Sequence, residues 1–218
     1  MQGRLRVVFI GFGAINSRVA ALLKARNAPV DIVAVATKDD PAERARIPAG
    51  VPFLASPSEL AALKPDIVIE AAGRAAIDAW APAALAASPA MIIASTSAFC
   101  DDALLPRLAE IAEKNASRIL IPSGAIGGID ALAGAAVLGL DAVTHRIVKP
   151  PAAWKGTPAE NLLALASLHE RTVFFEGSAR EAASQYPQNA NATVVTSLAG
   201  IGLDRTRVEL IADPGARL

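Results

Sequence analysis

The sequence predicts an α/β chain: a doubly wound parallel sheet at the N-terminus, followed by a second, α+β domain. Three observations lead there. A short apolar strand, Leu5 to Ile10, runs straight into Gly11-Phe12-Gly13-Ala14-Ile15-Asn16 and then into an alanine-rich helical stretch, Val19 to Arg26. Strand and helix patterns then alternate six times across residues 1–121. Beyond Pro122 that rhythm changes, and the remaining strands and helices read as α+β. The first part therefore reads as a Rossmann-type domain, residues 1–121, and the second as a substrate or catalytic domain, residues 122–218.

The elements follow in order. Val30 to Ala36 is an apolar second strand and Val51 to Leu54 a short third one. Ser56-Pro57-Ser58-Glu59 is a capping box with proline at the first helical position, opening a helix to about Leu63 that Lys64-Pro65 ends. Asp66 to Glu70 reads as a buried parallel strand closing on Ala71-Ala72-Gly73. Ala75 to Ala87 reads as helix interrupted at Pro82, Met91 to Ala94 as strand, Asp102 to Asn115 as helix and Arg118 to Ile121 as strand.

In the second part, Ser123 to Asp130 is a glycine-rich bend, with Asp130 capping a helix to about Leu138. Val143 to Lys149 alternates like a half-buried strand and stops at Pro150-Pro151. Thr157 and Ser178 each open a helix through a capping box, and Val173 to Glu176 is the strand between them. Asn189-Ala190-Asn191 precedes a helix to about Leu198, closed by Gly200 and Gly202, and Thr206 to Ala212 is the last strand. Asp213-Pro214-Gly215 then signals a turn and a returning partner strand, so this strand is expected to be an edge, or the polypeptide to stop short of its natural end.

Composition narrows the functional classes. Basic and acidic residues balance at 21 each, so no overall field directs the chain to nucleic acid or to a membrane surface. The single cysteine, Cys100, rules out an internal disulfide framework and fits a reducing, cytoplasmic setting. No segment approaches a transmembrane helix in length, and no set of metal ligands is assigned.

The glycine turn carries the clearest chemistry. Gly11 lets the backbone turn tightly off its strand, and Gly13 leaves no side chain between main chain and a pyrophosphate, whose charge would sit on free N–H groups of the following helix. Asn16 stands where the fingerprint expects Gly or Ala. The acid that should hold the adenosine ribose is ambiguous. Counting about twenty residues from Gly11 reaches Asp31, at the start of the second strand rather than its end. At the end, Lys38 could neutralise a 2′-phosphate and Asp39 could accept from a 2′-hydroxyl, leaving NAD and NADP both open.

Three stretches together resemble the L-aspartate dehydrogenases: the opening strand and Gly11 to Ile15; Pro122 to Leu132; and Gly177 to Ala182 followed by Tyr186-Pro187-Gln188-Asn189-Ala190-Asn191. Lys149-Pro150-Pro151 and Gly202 to Thr206, running on to Ala212-Asp213-Pro214, extend the resemblance over essentially the whole chain. It implies a cytosolic homodimer that interconverts L-aspartate with iminoaspartate or oxaloacetate plus ammonia, using NAD or NADP, on a route feeding NAD biosynthesis. It places cofactor contacts at Gly11, Gly13, Ala14, Ile15, Ala125 and Asn191, and makes Lys149 the candidate for a substrate carboxylate. An ordinary helix N-cap is the alternative for Asn191, and a packing turn for Ala125. The family's catalytic histidine is expected beyond Leu218, so no residue here is assigned as catalytic. His145, in an alternating strand, and His169, at a helix end, are read as structural or solvated. Arg146 is a second cation near the Pro150-Pro151 bend, and Glu70 is read as a helix-capping carboxylate at a strand end. The competing readings are a related reductase of the homoserine dehydrogenase or dihydrodipicolinate reductase type, and a dinucleotide-binding module without catalysis.

Overall fold

A computed structural model describes residues 3–38 and 41–217. The chain forms two compact units, residues 1–122 and 123–218. Both halves of the expected fold class are present.

The first unit holds one six-stranded sheet: β1 (Leu5–Ile10), β2 (Val30–Ala36), β3 (Phe53–Leu54), β4 (Ile67–Glu70), β5 (Ala90–Ile93) and β6 (Arg118–Leu120). Its order is β3-β2-β1-β4-β5-β6 with every pairing parallel. The order reverses between β1 and β4, and a doubly wound sheet opens its crevice at the carboxyl ends of the strands flanking that point. Helices α1 (Ala14–Ala25), α2 (Pro41–Arg44), α3 (Leu60–Leu63), α4 (Arg74–Ala87) and α5 (Leu104–Lys114) connect the strands. Val7, Phe9, Phe12, Ala20 and Val35 form a buried cluster on the α1 side of the sheet.

Two local expectations are revised. Helix α4 runs unbroken through Pro82, because Ile77, Ala81, Ala84 and Leu85 bury one continuous face that outweighs the lost hydrogen bond. The capping box at Ser56 forms, with Glu59 accepting from the Ser56 N–H at 2.7 Å, but it starts a 3₁₀ turn that passes into the single turn of α3.

The second unit is built on β7 (Val143–Lys149), β8 (Thr172–Ser178) and β9 (Thr206–Ala212), in the order β7-β9-β8. Strand β9 runs parallel to β7 and antiparallel to β8, so it is central and not an edge. Both of its sides are already paired, which is why the following turn need not return a strand beside it; Asp213 instead closes that turn locally, its Oδ1 accepting from the Gly215 N–H at 2.8 Å. Helices α6 (Ile129–Val137), α7 (Ala179–Gln185) and α8 (Ala190–Ala199) complete the unit. The Ser178–Glu181 capping box opens α7. Thr157, by contrast, accepts from the Ala159 N–H and starts only a 3₁₀ turn, Pro158–Asn161. Asp130 sits inside the first turn of α6, whose N-cap is Gly128 in the left-handed region at φ 72°.

Candidate functional site

Gly11 is the fixed point of the first unit's crevice. Its φ is +81°, and a Cβ there would lie 2.7 Å from the Cα and Cβ of Ala72 and 2.8 Å from the Ala71 carbonyl oxygen. Only glycine permits both that turn and that approach between the β1 and β4 ends. Its N–H donates to the Ala36 carbonyl at 2.6 Å, and the Ala71 N–H donates to Ile10 at 2.9 Å, so the ends of β2, β1 and β4 are tied together.

Gly13 behaves differently. It is the N-cap of α1 with ordinary backbone angles, and a Cβ added there would meet no protein atom within 4 Å. No side chain caps the helix, and its first backbone bond runs from Ser17 N–H to Gly13, so the N–H groups of Ala14, Ile15 and Asn16 are left outside the helical ladder. That is an open, positively polarised helix end. Ala14 and Ile15 are both exposed there.

Asn16 is not an imperfect copy of a small residue. It is fully buried, and its amide donates to the carbonyls of Gly11 at 2.8 Å and Ile10 at 3.2 Å, pinning α1 to the end of β1. Its Oδ1 is buried with no hydrogen-bond partner among the described residues. Replacing Asn16 by Ala restores the small residue of the fingerprint yet is expected to destabilise the protein by about 1–2 kcal/mol, the net worth of the lost bonds, with little change in dinucleotide affinity. Chemical denaturation and a binding titration check both halves.

Glu70, completely buried at the end of β4, accepts from the N–H groups of Ala72 (2.6 Å) and Gly73 (3.0 Å) and from the hydroxyl and N–H of Ser95 (2.7 and 3.1 Å). It holds the turn after β4 against the turn after β5; towards α4 its bonds stop at Gly73, and no side chain caps that helix, so the helix-capping role expected from its position is replaced by a bracing one.

Beside these turns lie two adjoining recesses. A cleft of about 470 Å³ runs from Gly11 past Thr37, Lys38 and Gly73 to Arg74 and Trp80 on α4. A smaller one of about 210 Å³ is bounded by Gly11, Gly13, Lys38, Glu43 and Ala72. A dinucleotide fits this arrangement: glycine-lined main chain and an uncapped helix end for the pyrophosphate, and a half-apolar slot with an aromatic wall for the adenosine. Trp80, Arg74 and Glu43 were not singled out from the sequence; Trp80 is the seventh residue of α4, an aromatic on an otherwise alanine-rich helix, and that contrast is the signal available. Asp31 lies at the opposite end of β2, ion-paired to Arg4 at 2.6 Å, and takes no part. Asp39 lies outside the described residues.

A larger cavity of about 770 Å³ sits on the other flank, between α1 and the segment leading to β3, and is lined by neither glycine of the turn.

In the second unit, Lys149 ends β7. Its ammonium donates to Asn189 Oδ1 at 2.6 Å and stands 4.9 Å over the Trp154 ring, while burial pushes its pKa below the usual lysine value. The buried Trp154 is itself fixed by a 3.1 Å bond from its indole N–H to the Ile211 carbonyl. Asn189, not Asn191, occupies the N-cap position of α8, because a 3₁₀ turn over Pro187–Asn189 leads directly into the helix. Asn191 is therefore the second helical residue and is exposed, which removes the N-cap alternative for it. Lys149, through Asn189, is thus fixed at the N-terminal end of α8, the end that carries Asn191. Ala125 is exposed in the bend before α6, where Gly124, Gly127 and Gly128 leave open space around the main chain.

Arg146 does not join this group. It lies an odd number of residues from Lys149, on the other face of the sheet, and is paired to Glu209 at 2.6 Å. His145 points its Nδ1 into a buried position without a partner among the described residues, and desolvation lowers its pKa. His169 is exposed in the loop before β8 rather than at a helix end, so no dipole acts on it. Among the described residues there is no cluster of His, Cys, Asp and Glu suited to a metal ion, and no helix is long and apolar enough to cross a membrane.

Comparison with known proteins adds the family context. Residues 130–218 match the family described as aspartate dehydrogenase, C-terminal, and residues 11–122 match homoserine dehydrogenase, NAD binding domain. The L-aspartate dehydrogenase of Brucella anthropi is 52% identical over 212 residues, covering 97% of this chain and 79% of the relative. That of Pseudomonas aeruginosa is 43% identical over 217 residues, covering 96% and 79%. Among solved structures, aspartate dehydrogenase from Thermotoga maritima aligns with a TM-score of 0.76 at 27% identity, covering 97% of this chain and 80% of that one.

Proposed function

The chain belongs to the L-aspartate dehydrogenase family, and from that premise we propose that it interconverts L-aspartate with iminoaspartate, or oxaloacetate plus ammonia, by hydride transfer. It is an oxidoreductase with a nicotinamide-dinucleotide-binding domain. The observation that carries the reading is the pairing of an open glycine turn at the sheet's switch point with a second-unit match specific to aspartate dehydrogenases.

When bound, the dinucleotide supplies a hydride acceptor or donor at C4 of its nicotinamide ring. The residues named here contribute binding and orientation. Gly11 shapes the turn, and Gly13, Ala14 and Ile15 present main-chain N–H groups to the pyrophosphate. Ala125 and the Asn191 amide serve the nicotinamide end, as the family resemblance implies. Lys149, held by Asn189 and Trp154, offers a charge-assisted hydrogen bond to a substrate carboxylate. The proposal extends to a cytoplasmic homodimer whose product feeds NAD biosynthesis.

The test is consumption of NADH or NADPH by the protein with oxaloacetate and ammonia, set against aspartate semialdehyde. Turnover with the first pair is expected. Turnover with the semialdehyde alone would favour the homoserine dehydrogenase reading that the first domain's match also allows; dinucleotide binding with no turnover of either would favour a binding module.

A further inference from the structure

Among the described residues at the end of β2 there is no acid: the strand closes on Ala36, followed by Thr37 and Lys38. A carboxylate reaches that place from elsewhere. Glu43, in the first turn of α2, is half-buried and lines the 210 Å³ recess together with Gly11, Gly13 and Lys38. The Thr37 hydroxyl donates to Glu43 Oε2, joining the strand end to the helix.

The carboxylate is mounted as well as placed. Arg44 stacks its guanidinium 3.9 Å over the Phe53 ring of β3, anchoring α2 to the sheet edge. The Ala45 N–H donates to Pro41 at 2.9 Å and the Arg46 N–H to Glu43 at 3.1 Å, closing the turn on both sides of the carboxylate. A carboxylate accepts at about four lone-pair sites, so the one bond it accepts among the described residues, from Thr37, leaves it able to take a vicinal diol.

Resting on the dinucleotide reading above, we propose that Glu43 accepts the hydroxyls of the adenosine ribose and so makes this protein prefer a dinucleotide with a free 2′-hydroxyl over one with a 2′-phosphate. A 2′-phosphate placed against Glu43 sets two anions within hydrogen-bond distance, which disfavours the charged form of both. Lys38, in the same recess, favours the phosphate instead. Placement decides between them. Lys38 is exposed on a flexible stem, where an ion pair gains little, whereas Glu43 is half-buried and held by Thr37.

Fluorescence titration of NADH and NADPH into the wild-type, Glu43→Gln and Lys38→Ala proteins tests this, with melting temperature followed in parallel. Glutamine keeps an oxygen for Thr37 while removing the charge and exchanging the second acceptor oxygen for a donor. Wild-type protein is expected to bind NADH at least about tenfold more tightly than NADPH. Glu43→Gln is expected to weaken NADH about five- to tenfold, strengthen NADPH and bring the two within about twofold. A purely structural Glu43 would instead shift the melting temperature and weaken both cofactors alike, which overturns the proposal. An unchanged ratio in Glu43→Gln, or a wild-type preference for NADPH that Lys38→Ala abolishes, also overturns it. Binding of neither cofactor by the wild-type protein would defeat the dinucleotide reading itself, a distinct outcome.

Discussion

Gly11→Ala is expected to lower the stability of the protein by about 2–5 kcal/mol and to weaken dinucleotide binding at least tenfold. The stability loss combines two costs: about 1–2 kcal/mol for a side chain at a left-handed φ of +81°, and about 1–3 kcal/mol for forcing apart tightly packed atoms. The added Cβ would meet backbone atoms and the short Ala72 side chain at 2.7–2.8 Å, none of which can swing aside. To relieve the contact, the turns after β1 and β4 must separate, and with them the bond from Ala71 N–H to Ile10. Both walls of the crevice belong to those turns. Thermal unfolding should show a fall of roughly 5–15 °C, and an NADH titration should show the loss of affinity. An unchanged melting temperature would mean that the β1 and β4 turns do not approach as described.

Lys149→Met is the second large effect, and it falls on the substrate alone. Methionine preserves length and apolar stem but removes the ammonium that Asn189 and Trp154 hold in place. A charge-assisted hydrogen bond contributes about 1.5–3 kcal/mol, so KM for oxaloacetate is expected to rise about 10- to 150-fold while the Kd for NADH stays the same. Asn189→Ala should give a smaller rise, because the ammonium remains but is no longer oriented. The pH dependence follows from the sign of the shift. Only protonated Lys149 binds a carboxylate, and burial lowers its pKa, so KM should climb with rising pH at values below the ordinary lysine range. A KM that ignores both substitutions would take Lys149 out of the site.

How far the sequence discloses this molecule depends on the range of the interaction. Strands β7 and β9 have the bounds read from their alternation, and the boxes at Ser56 and Ser178 form because each is decided within four residues. Near-local competition defeats the same reasoning at Thr157, where the box pattern yields only a 3₁₀ turn, and at Asn191, displaced from the N-cap by the turn over Pro187–Asn189. The glycine turn was legible as a motif. What Gly11 packs against was not, since Ala72 is brought to it only by pairing of β1 with β4. Asn16 illustrates the limit of a fingerprint: read against a template it is a blemish, whereas its buried amide clamps the strand end. Long-range partners were the least visible. The Lys149–Asn189 bond spans forty residues, and Glu43 reaches the end of β2 only because α2 folds back on Thr37.

Gly13 offers the cleanest experiment on the whole interpretation, because its φ of −72° is open to residues other than glycine and a Cβ added there meets no protein atom within 4 Å. Gly13→Val should therefore keep the fold to within about 1 kcal/mol while filling the space against the helix end. In a fluorescence titration with NADH, wild-type protein is expected to saturate and Gly13→Val, with an unchanged melting curve, to lose at least about 100-fold in affinity. Equal binding by the two proteins would show that no pyrophosphate rests on this turn.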